Sequence, residues 1–244
     1  MQSSLPPVAG GRLTQQQRQQ WALYIALAFH VSGFIAIGIF KAPLFVQLTP
    51  LNLLVCLALI VWTQAEYNSR FWLFAVLAFA IGYGAEYVGV TRGWLFGSYQ
   101  YGTVMGSGLH GVPWLIGVQW LVTMYCIGMA MHLLQQRLLR NPEGRIHRLP
   151  RWWKAASLVL DGAMLAVVFD WVLEPVAIWL GYWQWKDGEI PFFNYLSWYL
   201  VSAVVLFCFH RLRFAKHNIF AVHLLLIQFM FFLLLRTVLV MGGG

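Results

Sequence analysis

The chain of 244 residues is 60% hydrophobic and only 10% charged, whereas soluble domains carry about 25% charged residues. This composition excludes a soluble globular protein and indicates an all-α, polytopic membrane protein. The net charge of +8 is no sign of nucleic-acid binding, because arginine-rich cytoplasmic loops explain a positive charge in a membrane protein.

The apolar stretches predict seven membrane-spanning helices. A polar tail, residues 1–20, is expected in the cytoplasm, ahead of a single transmembrane domain, residues 21–244. A spanning helix needs about 20 mostly apolar residues. The stretches of this kind are 21–40, 44–63, 71–91, 112–134, 154–179, 191–210 and 217–240. The second is the weakest, because Pro50 and Asn52 interrupt it and a proline kinks a helix or makes it partly re-entrant.

The lysines and arginines predict the orientation of these helices. With seven spans, 12 of the 16 Lys and Arg residues fall on the side of the N-terminus and 4 on the other side. Positive residues concentrate in cytoplasmic loops, so the N-terminus is expected in the cytoplasm. We expect a multi-pass protein of the inner cell membrane. Its basic stretch 137–154 is expected to bind anionic lipid or to dock a preceding enzyme of the same pathway.

Two segments of the chain share one pattern of acidic, glycine and aromatic residues. One begins at Glu86 and the other at Glu174; in each, a glycine follows the acid by 7 residues and an aromatic residue by 8. An aromatic-Gln-aromatic triplet and then a proline come next, and a tryptophan lies 7 residues after that proline. We interpret the segments as a parallel pseudo-repeat of helices 3–4 and 5–6, with the two glutamates facing each other across an outer cavity. Chance similarity is the alternative, because such short patterns recur in Trp-rich membrane proteins.

Three acidic residues within predicted helices are candidates for chemistry: Glu86, Asp170 and Glu174. Asp170 and Glu174 are 4 residues apart and therefore share a helix face. Carboxylates within a membrane are costly, and closely spaced ones cannot all ionise in a site of low dielectric. At least one is expected to hold a proton and to serve as a general acid. The alternative is that these groups only hydrogen-bond between helices.

Aromatic residues crowd the loops beside these acids, at Trp94, Tyr99, Tyr101, Trp183 and Trp185. They belong either to an interfacial belt or to a pocket for a long apolar ligand, where their faces would stabilise a carbocation. The histidines and cysteines lack metal-ligand spacing, and the sequence has no phosphate-binding or dinucleotide motif. We therefore expect acid chemistry without a metal or cofactor.

The two segments resemble the integral-membrane carotenoid-biosynthesis hydratases, the group of γ-carotene 1',2'-hydratase and bisanhydrobacterioruberin hydratase. The resemblance covers about residues 80–200. It rests on Glu86-Tyr-Val-Gly89, Gly93, Phe96-Gly97-x-Tyr99-x-Tyr101, Gly111-Val-Pro113, Asp170-Trp-Val-Leu-Glu174-Pro175, Gly181-Tyr-Trp183-x-Trp185, Ile190-Pro191, Asn194 and Trp198. The chain departs from the family pattern at Glu174, where an aspartate is expected.

The resemblance implies an enzyme that adds water to the terminal 1,2 double bond of an acyclic carotenoid end group, through a tertiary carbocation. The implied substrate is of the lycopene, γ-carotene or bisanhydrobacterioruberin class and lies in membrane lipid. The predicted catalytic residues are Glu86, Asp170 and Glu174. The predicted substrate-binding residues are Trp94, Phe96, Tyr99, Tyr101, Trp120, Trp183, Trp185, Asn194 and Trp198.

The same segments resemble, more distantly, the membrane lycopene cyclases. Those enzymes carry acids just after the proline of the returning helix, where this chain has Trp114-Leu115-Ile116 and Phe192-Phe193-Asn194. The missing acids favour hydration over ring closure. Two alternatives stay open: an end-group cyclase, which would use the same first proton transfer, and a non-catalytic membrane protein that binds pigment or lipid.

Overall fold

Eight α-helices and four short strands form the parts of the chain described by this computed structural model, residues 13–139 and 150–242. The helices are α1 (Gln15–Phe34, continued by a π-helical segment, Ile35–Ile39), α2 (Pro43–Gln47), α3 (Thr49–Thr63), α4 (Ser69–Arg92), α5 (Trp114–Leu138), α6 (Arg151–Trp179), α7 (Phe192–Arg211) and α8 (Ile219–Met241). The strands are β1 (Tyr99–Tyr101), β2 (Gly108–Leu109), β3 (Val112–Pro113) and β4 (Trp183–Trp185).

The predicted all-α, polytopic fold is confirmed. Within the described ranges, six helices are long and apolar enough to cross a membrane: α1 with its π-helical end, α4, α5, α6, α7 and α8. α1 begins earlier than the predicted span, because Thr14 and Gln17 form a capping box at its start. The rest of the predicted tail, residues 1–12, lies outside the described residues, as do Arg140, Arg145 and Arg148 of the basic stretch.

The second predicted span is divided into α2 and α3. The helical run breaks at Leu48, and a proline stands in the first turn of each helix, Pro43 in α2 and Pro50 in α3. Proline fits a first turn, where its missing N–H leaves no bond unmade, but breaks a helix further in. The 15 residues of α3 are fewer than the about 20 that a spanning helix needs.

α3 nevertheless extends from one end of the helical bundle to the other. At its start, the hydroxyls of Thr49 and Tyr182 hydrogen-bond at 2.7 Å, just beyond the end of α6. At its end, the Thr63 carbonyl accepts a hydrogen bond of 2.5 Å from Gln15, at the start of α1. The described chain therefore passes along the bundle seven times, and α4 starts at the same end of the bundle as α1.

Two helical hairpins, α4–α5 and α6–α7, lie side by side, and their loops meet at one end of the bundle. Strand β1 of the first loop pairs antiparallel with β4 of the second, with Tyr99 opposite Trp185 and Gln100 opposite Gln184. The central glutamines hold the same position in the two repeated segments. Their pairing is what a twofold axis between the hairpins requires, and it supports the predicted pseudo-repeat.

In both segments a glycine lies 7 residues after the acid. It has the same structural role in each. Gly93 follows α4 with φ of 68°, and Gly181 follows α6 with φ of 72°. A left-handed residue ends a helix without the steric penalty that a Cβ would bring. Each glycine turns the chain from the helix that carries the glutamate into the loop that carries the aromatic strand.

Pro175 lies inside α6, directly after Glu174, without breaking the helix. Because proline has no N–H, the carbonyl of Trp171 one turn earlier loses its usual partner. Arg236 of α8 donates to that carbonyl at 2.7 Å, and its guanidinium lies 3.9 Å from the Trp171 ring centroid. α8 thus compensates for the proline and supports the segment of α6 that carries the acids.

Candidate active site between the two hairpin loops

Glu86 is held by three aromatic donors. The Tyr99 and Tyr101 hydroxyls donate to its Oε2, the latter at 2.8 Å, and the Trp120 indole N–H donates to Oε1 at 3.0 Å. Alternate residues of a strand point to the same side, so β1 brings both tyrosines to the carboxyl group. Glu86 is only 5% exposed. Both of its oxygens therefore have protein partners.

The two tyrosines stay protonated as donors. They lie in the loop after α4. Burial and, next, the neighbouring Glu86 carboxyl group raise the pKa of the Tyr99 and Tyr101 phenols well above the ordinary value of 10.0. At neutral pH both phenols therefore remain neutral and keep donating to Glu86.

Glu174 has a cage of the same design in the second hairpin. The indole N–H groups of Trp183 and Trp185 donate to its Oε2 at 3.0 and 3.1 Å. Asn194 of α7 donates to its Oε1 at 3.2 Å. The two tryptophans alternate on β4 as the tyrosines alternate on β1. The matched pattern thus places each glutamate beneath its own aromatic strand.

Asp170 lies behind Glu174, one turn earlier in α6. Its Oδ2 accepts from Asn194 Nδ2 at 2.8 Å, so this amide group donates to both acids. Its Oδ1 is buried and finds no partner among the described residues. Asp170 is fully buried. Among the three acids it is the one with the fewest donors.

The first hairpin has no counterpart of the Asp170–Asn194 pair. The equivalent positions are Gly82 and Ile116. A Cβ at position 82 would lie 2.2 to 2.3 Å from Cγ and Cβ of Trp120, so glycine makes the room through which Trp120 reaches Glu86. The two hairpins share a backbone plan but hold their glutamates by different side chains.

A small chamber lies between the two glutamates. Its volume is about 20 Å³, and a water molecule needs about 10–15 Å³ of such space. Trp120 and Trp198 line it together, with ring centroids 4.3 Å apart. The chamber is lined by Glu86, Phe96, Tyr99, Tyr101, Ile116, Gln119, Trp120, Glu174, Trp183, Trp185, Asn194 and Trp198. It has room for about one water molecule in contact with two carboxyl groups.

A second and larger cavity of about 420 Å³ adjoins the chamber, and Gln119 lines both. Its walls come from α1, α2, α3, α5, α6 and α8 and are mostly apolar, with Phe169, Leu173 and Phe232 among them. Gln119 was not predicted as a site residue. A carboxamide directly before Trp120, in an otherwise apolar part of α5, was the available signal.

The structure brings most of the predicted site residues together. Ten of the twelve line the chamber; the two exceptions are Asp170 and Trp94. Asp170 reaches the chamber only through Asn194 and Glu174, and Trp94 is 66% exposed. Across residues 13–139 and 150–242, no three His, Cys, Asp or Glu side chains come together as metal ligands would.

Comparisons with known proteins agree with the resemblance noted in the two segments. The family model described as "Carotenoid biosynthesis protein" matches residues 47–244. Bisanhydrobacterioruberin hydratase of Haloarcula japonica is 30% identical to the chain over 134 residues. That match covers 52% of this chain but only 40% of the relative. No solved structure matches the chain significantly. Because the family model matches most of the chain, the chain belongs to the family of carotenoid biosynthesis proteins.

Proposed function

We propose that the chain is a carotenoid hydratase of the inner cell membrane, which adds one water to the terminal 1,2 double bond of an acyclic end group. One observation carries the proposal: Glu86 and Glu174 line a common chamber with room for about one water. The family match supports a carotenoid as substrate, and the hydratase from Haloarcula japonica supports the type of reaction.

The reaction begins with a proton transfer from one carboxyl group to C2 of the end group. The π electrons of the double bond form the new C–H bond, and C1 becomes a tertiary cation. The chamber water then bonds to C1 through an oxygen lone pair, and the second carboxylate takes the proton that this water releases. The net change is the addition of one water. It involves no oxidation or reduction, so the chemistry calls for no redox cofactor.

The carboxyl groups have different surroundings, which suits different roles. Glu86 and Glu174 each accept three hydrogen bonds and line the chamber, so we assign proton donation and proton acceptance to this pair. The acid that gives its proton ends as a carboxylate and its partner ends protonated, so a proton must return between them before the next turnover.

Asp170 and Asn194 position Glu174. The Asn194 amide donates one N–H to each acid, at 2.8 Å to Asp170 and 3.2 Å to Glu174. Asp170 thereby orients the amide, and the amide orients the carboxyl group that lines the chamber. The departure of Glu174 from the expected aspartate lengthens this side chain by one methylene, and the Asn194 bond holds the longer chain in place.

The aromatic walls stabilise the cation. Trp120, Trp198, Trp183 and Trp185 line the chamber, and the faces of such rings attract positive charge, by about 2 kcal/mol or more when water is excluded. The stack of Trp120 on Trp198 forms one wall of the chamber. An end group is larger than the space for one water, so the cation forms at the edge of the chamber and meets the water held there.

The proposal is tested in a host that makes lycopene, by the mass of the pigments with and without the chain. A pigment heavier by one water is expected. Glu174→Gln and Glu86→Gln should each lower its amount by about 100-fold or more, because they remove one partner of the proton transfer. Glu189→Gln, in the exposed loop after β4, is the matched control and should behave as the unchanged chain.

Three outcomes would contradict the proposal or its mechanism. A new pigment of unchanged mass would indicate ring closure in place of hydration. Lycopene that co-purifies with the chain without any change would indicate a binding protein. Unimpaired Glu174→Gln and Glu86→Gln variants would remove the pair from the mechanism.

A further inference from the structure

The cavity of about 420 Å³ is lined by residues of six helices, α1, α2, α3, α5, α6 and α8, and of the two hairpin loops. Of its 21 lining residues 9 are buried, among them Leu53 of α3, Thr123 of α5 and Leu173 of α6, and only 5 are exposed. Its volume falls in the range of about 300–1,000 Å³ that is typical of ligand pockets. The cavity therefore has the size and the apolar walls of a binding site.

The exposed members of this lining lie in two places only. Ala28, Phe29 and Ser32 are on α1, while Leu48 and Leu51 lie where α2 meets α3. Phe29 is 39% exposed and Leu51 is 50% exposed. The cavity thus opens sideways, between α1 and the break of the second predicted span. In a membrane protein this flank faces the hydrocarbon of the bilayer.

The cavity and the acidic chamber share one lining residue, Gln119 of α5. Met105 from the first hairpin loop also lines the cavity. The two spaces are therefore neighbours at Gln119, and Glu86 and Glu174 line the smaller one. A ligand that enters from the flank meets apolar walls first and the carboxyl groups last.

We infer that this cavity takes one end of a linear polyene directly from the membrane lipid, through the opening between α1 and α3, and holds it at the edge of the chamber. The inference rests on the proposed function for the identity of the polyene. A pocket of this size encloses a ligand of drug size. Only the end of a long polyene fits, and the remainder stays in the lipid, so a substrate with two ends is handled one end at a time.

The test narrows the opening and leaves the chamber unchanged. Ala28→Trp places a large side chain at the mouth, on an exposed position of α1. Val31→Trp is the matched control, because Val31 is on the same helix, is 52% exposed and does not line the cavity. Each variant is purified from a host that makes lycopene. The pigment that stays bound, hydrated or not, is measured per protein by its absorbance.

Ala28→Trp should retain at least tenfold less pigment than Val31→Trp, which should match the unchanged chain. Gly33→Leu is a second narrowing variant in case Ala28→Trp fails to fold, as judged by size-exclusion chromatography. A Cβ at Gly33 would lie 3.5 Å from a ring atom of Phe231, an ordinary contact, so the backbone at this position accepts a side chain.

Equal pigment retention by folded Ala28→Trp, Gly33→Leu and Val31→Trp would overturn the inference. The outcome is independent of turnover. Lower retention without any hydrated product would keep the cavity as the polyene site and overturn the proposed reaction. Hydrated product with equal retention would keep the reaction and overturn the lateral entry.

Discussion

Trp120 lies face to face with Trp198, with ring centroids 4.3 Å apart and ring planes inclined by 19°. The two tryptophans hold the same position in the repeated segments, so they stack across the twofold relation that also pairs Gln100 with Gln184. The hydrogen bonds to the two glutamates differ, however. Trp120 donates to Glu86, whereas the corresponding Oε1 of Glu174 accepts from Asn194. The hairpins thus share a symmetric frame around an asymmetric site.

Gly82 should be intolerant of a side chain, because Trp120 occupies the space next to it. A Cβ at Gly82 would lie 2.2 Å from Cγ of Trp120. We expect Gly82→Ala to lower the free energy of unfolding by about 1–3 kcal/mol, as overpacking of a core does. Gly84→Ala on the same helix is the control, since its Cβ would meet nothing within 4 Å. Thermal unfolding in detergent compares the two, and equal melting temperatures would be inconsistent with the packing described.

Asn194 should affect the rate of hydration and not the binding of pigment. Asn194→Ala removes the bonds to Glu174 and Asp170 and leaves both acids without their shared donor. We expect about a tenfold slower reaction, the effect of a lost charge-assisted hydrogen bond of about 1.5 kcal/mol. Bound lycopene per protein should stay as in the unchanged chain. A loss of bound pigment in proportion to the rate would assign Asn194 to the binding of substrate or to folding.

A polar cluster at the opposite end of the bundle should contribute to stability alone. Tyr125 donates to Gln64 at 2.5 Å and accepts from Asn218 at 3.2 Å, which ties α5 to the segments after α3 and before α8. Tyr125→Phe should cost about 1–3 kcal/mol of unfolding free energy, because it leaves buried polar groups without a partner. Tyr24→Phe, at a position 60% exposed, is the control. Hydration per folded protein should be the same in both variants.

The location of the acids was predictable, because each repeated segment is a local pattern of fixed spacing. The pattern led to Glu86 and Glu174 and to the aromatic residues of the two triplets, and all of these line the chamber. The pairing of β1 with β4 was not predicted, since strands of three residues are too short for a periodic signal. Trp94 shares the loop with the chamber aromatics but points outward, and its spacing holds no information about that direction.

The larger cavity could not be predicted from the sequence, for a different reason. Its walls come from α1, α3 and α8 as well as from the repeated hairpins, and uniformly apolar helices do not reveal where their packing leaves a hollow. Pro50 correctly predicted that the second span is interrupted. That the interruption would border an opening into the bundle depends on contacts between helices far apart in the chain.

The order of products should reveal whether one end of the substrate reacts at a time. Lycopene carries two identical acyclic ends, and the cavity has room for one end only. A singly hydrated pigment should therefore rise first and fall as the doubly hydrated one forms. Chromatography of samples taken during the reaction follows both species. A doubly hydrated pigment that forms from the start, with no singly hydrated one released, would contradict separate binding events.

Hydration of lycopene by the purified chain in heavy water tests whether a carboxyl group gives its proton to carbon. Exchangeable carboxyl groups carry deuterium in this solvent, so proton donation from Glu86 or Glu174 transfers deuterium to carbon. We predict a product that contains one added water and one carbon-bound deuterium at C2 for each hydrated end, in amounts that Glu174→Gln lowers about 100-fold or more. Pigment without carbon-bound deuterium, or equal conversion by Glu174→Gln, would contradict it.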